Sequence, residues 1–452
     1  MCVRLCLMSP LARLLVTIGI PASLVVSAVG ISAASTAGAA IAPAARASTR
    51  SAVTATTGPQ WHSAQLRAPA NAGTIYAVKP LAVSCSAPGY CAAAGYLQTP
   101  PPQGSNYDYQ QAPIVAVDSG GRWSRFSPLE LPADAAPGNP TAQVSSVSCP
   151  TRTFCVAVGY YTTTAFNNTQ VEGFTATLSA GTWSRAVALA LPASLVNDAA
   201  ALDSVSCPTS VYCLAAGTIT TGLRTALPLT AVRSNGQWQV AEAPSMLPST
   251  AQDQMLNMSV SCPSAGNCAA VGTAYSFDHE NMSGLQWVES HGSWRRATIT
   301  AVPSDADQGT GATLSSVSCS VLGSCVAVGF YDRKFNDVAM QVTRQRGRWH
   351  AGIADRIANT STTFNAVSCT WWICVAVGNY HGEIRSLAVS ERHGSRLGDP
   401  VTITLPANKI PSASTSQVTG LTAVSCLSKG WCAAVGSYIN KADIPVALVA
   451  IR

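Results

Sequence analysis

The chain alternates short mixed runs with short, almost wholly apolar ones. A representative stretch is Ser146-Val147-Ser148-Cys149-Pro150, a brief turn, then Phe154-Cys155-Val156-Ala157-Val158-Gly159. Its β-branched and small apolar residues, bounded by turn residues, predict strand, tight turn, strand. No window sustains a 3.6-residue period, so amphipathic helices are not expected.

This hairpin unit recurs seven times. The cysteine pairs are Cys85 and Cys91, Cys149 and Cys155, Cys207 and Cys213, Cys262 and Cys268, Cys319 and Cys325, Cys369 and Cys374, and Cys426 and Cys432. Val-Ser precedes every first cysteine, as in Val83-Ser84 and Val424-Ser425, and every second cysteine opens an apolar run ending in glycine, from Gly95 to Gly436. First cysteines lie 50 to 64 residues apart, a period that points to solenoids, propellers or arrays.

A turn followed by tryptophan trails five of the pairs: Gly121-Arg122-Trp123, Gly181-Thr182-Trp183, Gly236-Gln237-Trp238, Gly292-Ser293-Trp294 and Gly347-Arg348-Trp349. The sixth copy has Gly394-Ser395-Arg396, and the seventh ends at Arg452 before any such turn. The missing piece stands at the other end, as Gly58-Pro59-Gln60-Trp61. Each unit thus supplies four strands. A ends at the first cysteine, B starts at the second, C is the next apolar run (Ile114 to Val117, Leu227 to Val232), and D begins near the tryptophan. The expected fold is an all-β, seven-bladed β-propeller of four-stranded blades, its last blade closed by the N-terminal strand.

Residues 1–47 read as an export signal, with Arg4 and Arg13 before an uncharged stretch from Leu14 to Ala45 and a small-residue site at Ala45-Arg46-Ala47. Uncleaved, that stretch is long enough to anchor the chain in a membrane. Residues 48–57 read as a linker and 58–452 as the propeller. Beyond residue 47 the net charge is only +3 (24 basic, 21 acidic), which argues against nucleic acid as a partner. Fourteen cysteines in an exported chain favour disulfides, one per hairpin. The six histidines are scattered, so no metal or other cofactor is expected.

The pattern Leu-x-x-Val-Ser-Cys, Cys-Val-Ala-Val-Gly-x-Tyr, Gly-x-Trp resembles the blades of BNR or Asp-box propellers, most closely the photosystem II assembly-factor type. Asp118-Ser119-Gly120-Gly121-Arg122-Trp123 is the best-kept box; Ala180, Asn235, His291 and Arg346 stand before the glycine elsewhere. The added cysteine pair resembles secreted actinobacterial repeat proteins. Sialidases share the box, so a secreted glycoside hydrolase is the alternative function. However, no arginine cluster stands in the innermost segments, and no hydrolase or phosphate-loop signature occurs. The recurring serines before cysteine are read as packing residues.

The expected function is non-catalytic binding of an extracellular glycan or protein by a monomer, through the B–C and D–A loops. These loops are irregular, whereas the cysteine and tryptophan turns repeat. Tyrosine recurs past the strand-B glycine at Tyr161, Tyr331, Tyr380 and Tyr438, with Tyr275 one place later and Tyr96 one earlier. Tyr161, Tyr275, Tyr331, Tyr380 and Tyr438, with Asp278, His279, Asp332 and Arg333, form the candidate ligand-binding set; the insertion Gln98 to Gln111 adds Tyr107 and Tyr109. A purely structural surface protein is a third reading.

Overall fold

The computed structural model describes residues 61–452, except 102, 104–107, 139–140, 164–169, 196–197, 221–225, 243–253, 277–280, 308, 322, 335, 354–360, 372, 381–384, 393–396, 398–400, 411–419 and 428–429. The leader, the linker, Tyr107, Asp278 and His279 therefore lie outside the described residues. Among those described there is no α-helix, and no helix is long and apolar enough to cross a membrane.

The strands assemble into an all-β propeller whose blades are antiparallel sheets with a four-strand path. Seven such sheets form among the described residues. The first contains Ala77–Ala87, Tyr90–Thr99, Gln110–Ser119 and Ser127–Pro128, in that order. These are the expected strands A to D. The A strands of successive sheets touch one another around a common axis, and the last touches the first. Strand D is the least regular. It is continuous as Gln237–Glu242 and Arg348–Ile353, but broken into Thr182–Trp183 and Val187–Ala188 in the second sheet. In the last sheet, Gly420–Cys426, Cys432–Ile439 and Pro445–Ile451 are joined by the N-terminal strand His62–Gln65, with His62 opposite Ile451. Without that pairing Pro445–Ile451 would leave an open edge.

Every expected disulfide is formed, each within its own A–B hairpin. Cys85 is bonded to Cys91, Cys149 to Cys155, Cys207 to Cys213 and Cys262 to Cys268. Cys319 is bonded to Cys325, Cys369 to Cys374 and Cys426 to Cys432. The second cysteines Cys91, Cys213, Cys268, Cys325 and Cys374 are all buried, because each opens the apolar strand B at the centre of its sheet. In the first sheet Cys85 stands directly opposite Cys91, and in the fifth Cys319 stands opposite Cys325, so the bridge spans paired strands.

Core clusters sit between adjacent sheets. Trp123, Trp183, Trp238, Trp294 and Trp349 each pack on the cluster between their own sheet and the preceding one. Trp61 packs on the cluster between the sixth and seventh sheets, so it holds in the seventh sheet the position that those tryptophans hold in theirs.

The repeated glycine of strand B has a steric cause. Strand A bulges four residues before each first cysteine in most sheets, for example between Leu202 and Ser204 and between Leu314 and Ser316. The bulge drives a carbonyl across the sheet. A Cβ on Gly217 would collide with the Ala201 oxygen, and one on Gly329 with the Thr313 oxygen.

The serines before the cysteines do more than pack. Strand A is the inner edge of each sheet, so its outward amides have no partner strand. Ser148 Oγ accepts the Cys207 amide at 2.9 Å, Ser206 the Cys262 amide at 2.9 Å, and Ser318 the Cys369 amide at 2.8 Å. The same bond links each remaining pair of neighbours, including the last sheet to the first. A second, partial set begins three residues before the cysteine: Ser146, Ser204, Ser259 and Ser316 accept the amides of Val205, Val260, Val317 and Val367. Ala82, Ala366 and Ala423 hold that position elsewhere and carry no hydroxyl.

Candidate functional site

The candidate tyrosines divide according to the side of strand B on which they emerge. Tyr161, Tyr331 and Tyr438 share a side with the cluster facing the preceding sheet, and all three are at most 1% exposed. Their ring faces are covered. What they offer is a hydroxyl, and each hydroxyl is already engaged. Tyr161 reaches Asp134 Oδ1 at 3.0 Å and Glu172 Oε2 at 3.1 Å; Tyr331 donates to Asp305 Oδ1 at 2.9 Å; Tyr438 donates to Asn408 Oδ1 at 2.7 Å.

Asp134, Asp305 and Asn408 come from a motif that the sequence reading passed over: Leu131-Pro132-Ala133-Asp134, Val302-Pro303-Ser304-Asp305 and Leu405-Pro406-Ala407-Asn408. The proline carbonyl accepts the amide three residues on, at Ala135, Ala306 and Lys409, which makes a tight turn within the D–A loop. The tyrosine pins that turn. A pocket of stacking tyrosines is therefore not what these three form; they fix the loops of the B–C/D–A face. The recurrence of Pro-x-Asp/Asn before strand A was the available signal.

Asp332 and Arg333 join this arrangement in the fifth sheet. Arg333 Nη1 binds Asp305 Oδ2 at 2.9 Å, a part-exposed ion pair. Burial alone would raise Asp305, but hydrogen bonds from Arg333 and Tyr331 hold it below the ordinary carboxylate range. The Asp332 carbonyl accepts the Asp307 amide, and burial pushes the Asp332 carboxyl upward. Tyr275 is half-buried opposite Gln254. Tyr380 lies on Ile373–Tyr380, opposite Arg385. Among the described residues no three acidic, cysteine or histidine side chains are grouped to hold a metal.

One place earlier on strand B, the side chain points the other way. Tyr160 follows Val156 and Val158 on the side that packs against the third sheet, and it is 6% exposed. On that side it comes within electrostatic reach of Asp203, the bulged residue of Ala199–Ser206. Asp203 is half-buried by surface area but densely surrounded by protein atoms. Its Oδ2 accepts the Met258 amide at 3.0 Å, and its carboxyl is raised to about 7 by burial, against the pull of that bond. The Tyr160 hydroxyl is pushed up by burial first, then by Asp203, Tyr96 and Tyr109. Tyr96, at the position in the first sheet equivalent to Tyr160, is pushed up to about 12 by burial and by Tyr109. It stands opposite Lys79, whose burial lowers its ammonium. Tyr96, Tyr109, Tyr160 and Asp203, contributed by the first three sheets, thus lie within electrostatic reach of one another.

No protein-family model matches the chain, and no curated protein does. Solved structures do. An ulvan lyase of polysaccharide lyase family PL25, bound to a GlcA(1-4)Rha3S unit, is 9% identical with a TM-score of 0.52, covering 83% of this chain and 94% of the lyase. A protein of unknown function from Dyadobacter fermentans is 11% identical at TM-score 0.47, covering 87% of this chain and 99% of its own. The α-L-arabinofuranosidase Arb93A of Fusarium graminearum is 9% identical at TM-score 0.44, covering 87% and 98%. At such identities the likeness to the lyase is one of fold.

Proposed function

We propose that this chain is an exported seven-bladed propeller, each of its seven sheets one blade, that binds a glycan without turning it over, through the face of its B–C and D–A loops. The asymmetry between the two faces carries this reading. The cysteine hairpins and tryptophan turns repeat from sheet to sheet. The opposite face holds different chemistry in each: Tyr161 with Asp134 and Glu172, Tyr331 with Asp305 and Arg333, Tyr438 with Asn408. Only such variation makes one distinct site on a quasi-symmetric ring, and rigidly held loops are where ligands are bound. The ulvan lyase is a polysaccharide-active protein of the same fold, which supports a carbohydrate as the ligand class. Disulfides in every hairpin fit an oxidising compartment outside the cytosol.

The test is a glycan array followed by two alanine panels on any glycan captured. Asp134, Asp332 and Arg333 form one panel; Arg122, Thr182, Gln237 and Arg348, in the tryptophan turns, form the other. The first should weaken binding by roughly 1 kcal/mol or more at one or two positions, and the second should leave it unchanged. Loss confined to the second panel, in folded protein, would put the site on the opposite face and overturn the reading.

A further inference from the structure

We propose that the tryptophan-turn ends of the fourth and fifth sheets form a binding track for an acidic polysaccharide, carried by Arg295, Arg344, Arg346 and Arg348. The track lies at the opposite end of the sheets from the B–C and D–A loops, and the inference does not rest on the glycan reading above.

The placement follows from the strands. In the fourth sheet Asn281–Ser290 turns into Ser293–Trp294, and in the fifth Asn336–Gln345 turns into Arg348–Ile353. Both turns sit against the cysteine hairpin of their own sheet. Gly292 donates to the Gly266 carbonyl at 2.8 Å, and a Cβ on Gly323 would meet Arg344 Nη1 at 3.8 Å. Trp294 packs toward the third sheet. Arg295 follows it, with its amide on the Val288 carbonyl at 2.9 Å, so its side chain leaves toward the fifth sheet. Arg344 stands opposite Trp349, which packs toward the fourth sheet, so Arg344 faces back across the same gap. Arg346 is exposed at the tip of its turn, and Arg348 and His350 flank Trp349 on the exposed side of the outermost strand. The arginines thus run from the gap between two sheets out to the rim.

Two observations point to a ligand rather than to a solvated rim. The first is a missing counter-charge. Arg295, Arg346 and Arg348 make no side-chain hydrogen bond or ion pair with a described residue, and Arg344 Nε is shut away from water with no acceptor among them. Burial and then Arg295 lower the Arg344 guanidinium, as like charges facing one gap do. The acids of these sheets are turned elsewhere. Glu289 stands opposite Trp294 and so faces the third sheet, while Asp305, Asp307, Asp332 and Asp337 lie at the B–C/D–A end. The second observation is the contrast with other sheets. Arg125 Nη1 donates to the Ala68 carbonyl at 3.2 Å, Arg185 Nε to that of Leu131 at 2.8 Å, and Arg233 Nη1 to that of Ser210 at 3.0 Å. Those arginines serve the fold; Arg295, Arg346 and Arg348 hold no described residue in place.

The chemistry selects the partner. A guanidinium presents a planar fork of donors that matches the oxygens of a carboxylate or sulfate. Several forks strung from a gap to a rim call for several anionic groups in a row. A chain of uronate or sulfated sugars provides them; a single small anion does not. Disulfides in every hairpin fit an oxidising compartment outside the cytosol, which favours polysaccharide over nucleic acid as the polyanion.

Fluorescence polarisation with a labelled oligouronate, a sulfated oligosaccharide and a DNA duplex tests this on the wild type, on Arg346→Gln/Arg348→Gln, on Arg295→Gln and on Arg67→Gln/Arg122→Gln. The last variant removes two exposed charges outside the fourth and fifth sheets and so controls for net charge. Every residue changed is exposed, so the variants should fold; a thermal melt confirms it. The expected result is binding of at least one acidic oligosaccharide, weakening as salt is raised. It should fall roughly tenfold or more in Arg346→Gln/Arg348→Gln, fall roughly threefold or more in Arg295→Gln, and stay within about twofold of wild type in Arg67→Gln/Arg122→Gln. Equal losses in the two double variants would show attraction to net charge without a track and overturn the proposal. Failure of both acidic oligosaccharides to bind overturns it too, and tighter binding of the duplex than of either overturns the polysaccharide assignment. A glycan held by the B–C and D–A loops should be indifferent to all these variants, so each of these failures leaves the glycan reading standing.

Discussion

The backbone amide of Cys85 donates to Ser425 Oγ at 3.0 Å, across 340 residues of chain. The same Ser-to-Cys bond joins every other neighbouring pair of sheets. Cys85–Ser425 is therefore the link at which the innermost circuit closes. Together with the pairing of His62–Gln65 on Pro445–Ile451, it joins the two ends of the propeller.

Removing one hydroxyl leaves a strand-A amide without its acceptor. Ser425→Ala and Ser206→Ala should each lower stability by about 1–3 kcal/mol, the cost of an unsatisfied buried donor. Urea unfolding gives the figure directly. Losses of only a few tenths in both variants would mean that water replaces the hydroxyl and the circuit contributes little.

The tryptophan turns contain backbone strain that can be relieved. Ala180 has φ 49° and Arg346 φ 48°, each followed by a glycine in the same left-handed region. Two such residues in succession make a type I′ hairpin turn, which favours Asn-Gly, and Asn235-Gly236 already has that sequence. Ala180→Asn and Arg346→Asn should therefore stabilise by roughly 0.5–1 kcal/mol. Differential scanning calorimetry showing a lowered melting temperature in both would contradict the turn assignment.

Asp203 makes stability depend on pH. Its carboxyl titrates near 7 in the folded chain against an ordinary 3.8, so folding favours the neutral acid. That contribution is complete below about pH 4 and is lost as the pH rises through about 7. Asp203→Asn, which resembles the neutral form, should match the wild type at pH 4 and exceed it at pH 8, by roughly 2–4 kcal/mol. Parallel stability–pH curves for the two proteins would show that the carboxyl is not held neutral by the fold.

Much of the architecture could be read from the residues. The hairpins showed as cysteine pairs at fixed spacing, and the closing strand showed as a tryptophan turn missing from one end and present at the other. Even the shortened pair, Cys369 with Cys374, closes the same way as the longer ones, because strand pairing rather than loop length brings the two sulfurs together. The role of Ser148 could not be read, because its partner Cys207 lies in the next repeat and no local pattern links the two. The tyrosines show the limit most clearly. Tyr160 and Tyr161 are adjacent in sequence, but strand alternation sends one toward the third sheet and the other into a loop latch. Choosing the recurrent Tyr161 position selected the latch. The one-residue offset of Tyr96, which looked like an irregularity, places it in line with Tyr160.

The central claim is binding without turnover, and one measurement addresses both halves of it. Purified protein is incubated with the oligosaccharide that gives the strongest array signal, and the same sample is followed by calorimetry and by chromatography of the sugar. The account predicts saturable binding at one site per chain, with the oligosaccharide recovered intact after prolonged incubation. Shortened or unsaturated products, absent from a heat-denatured control, would show that the propeller is an enzyme.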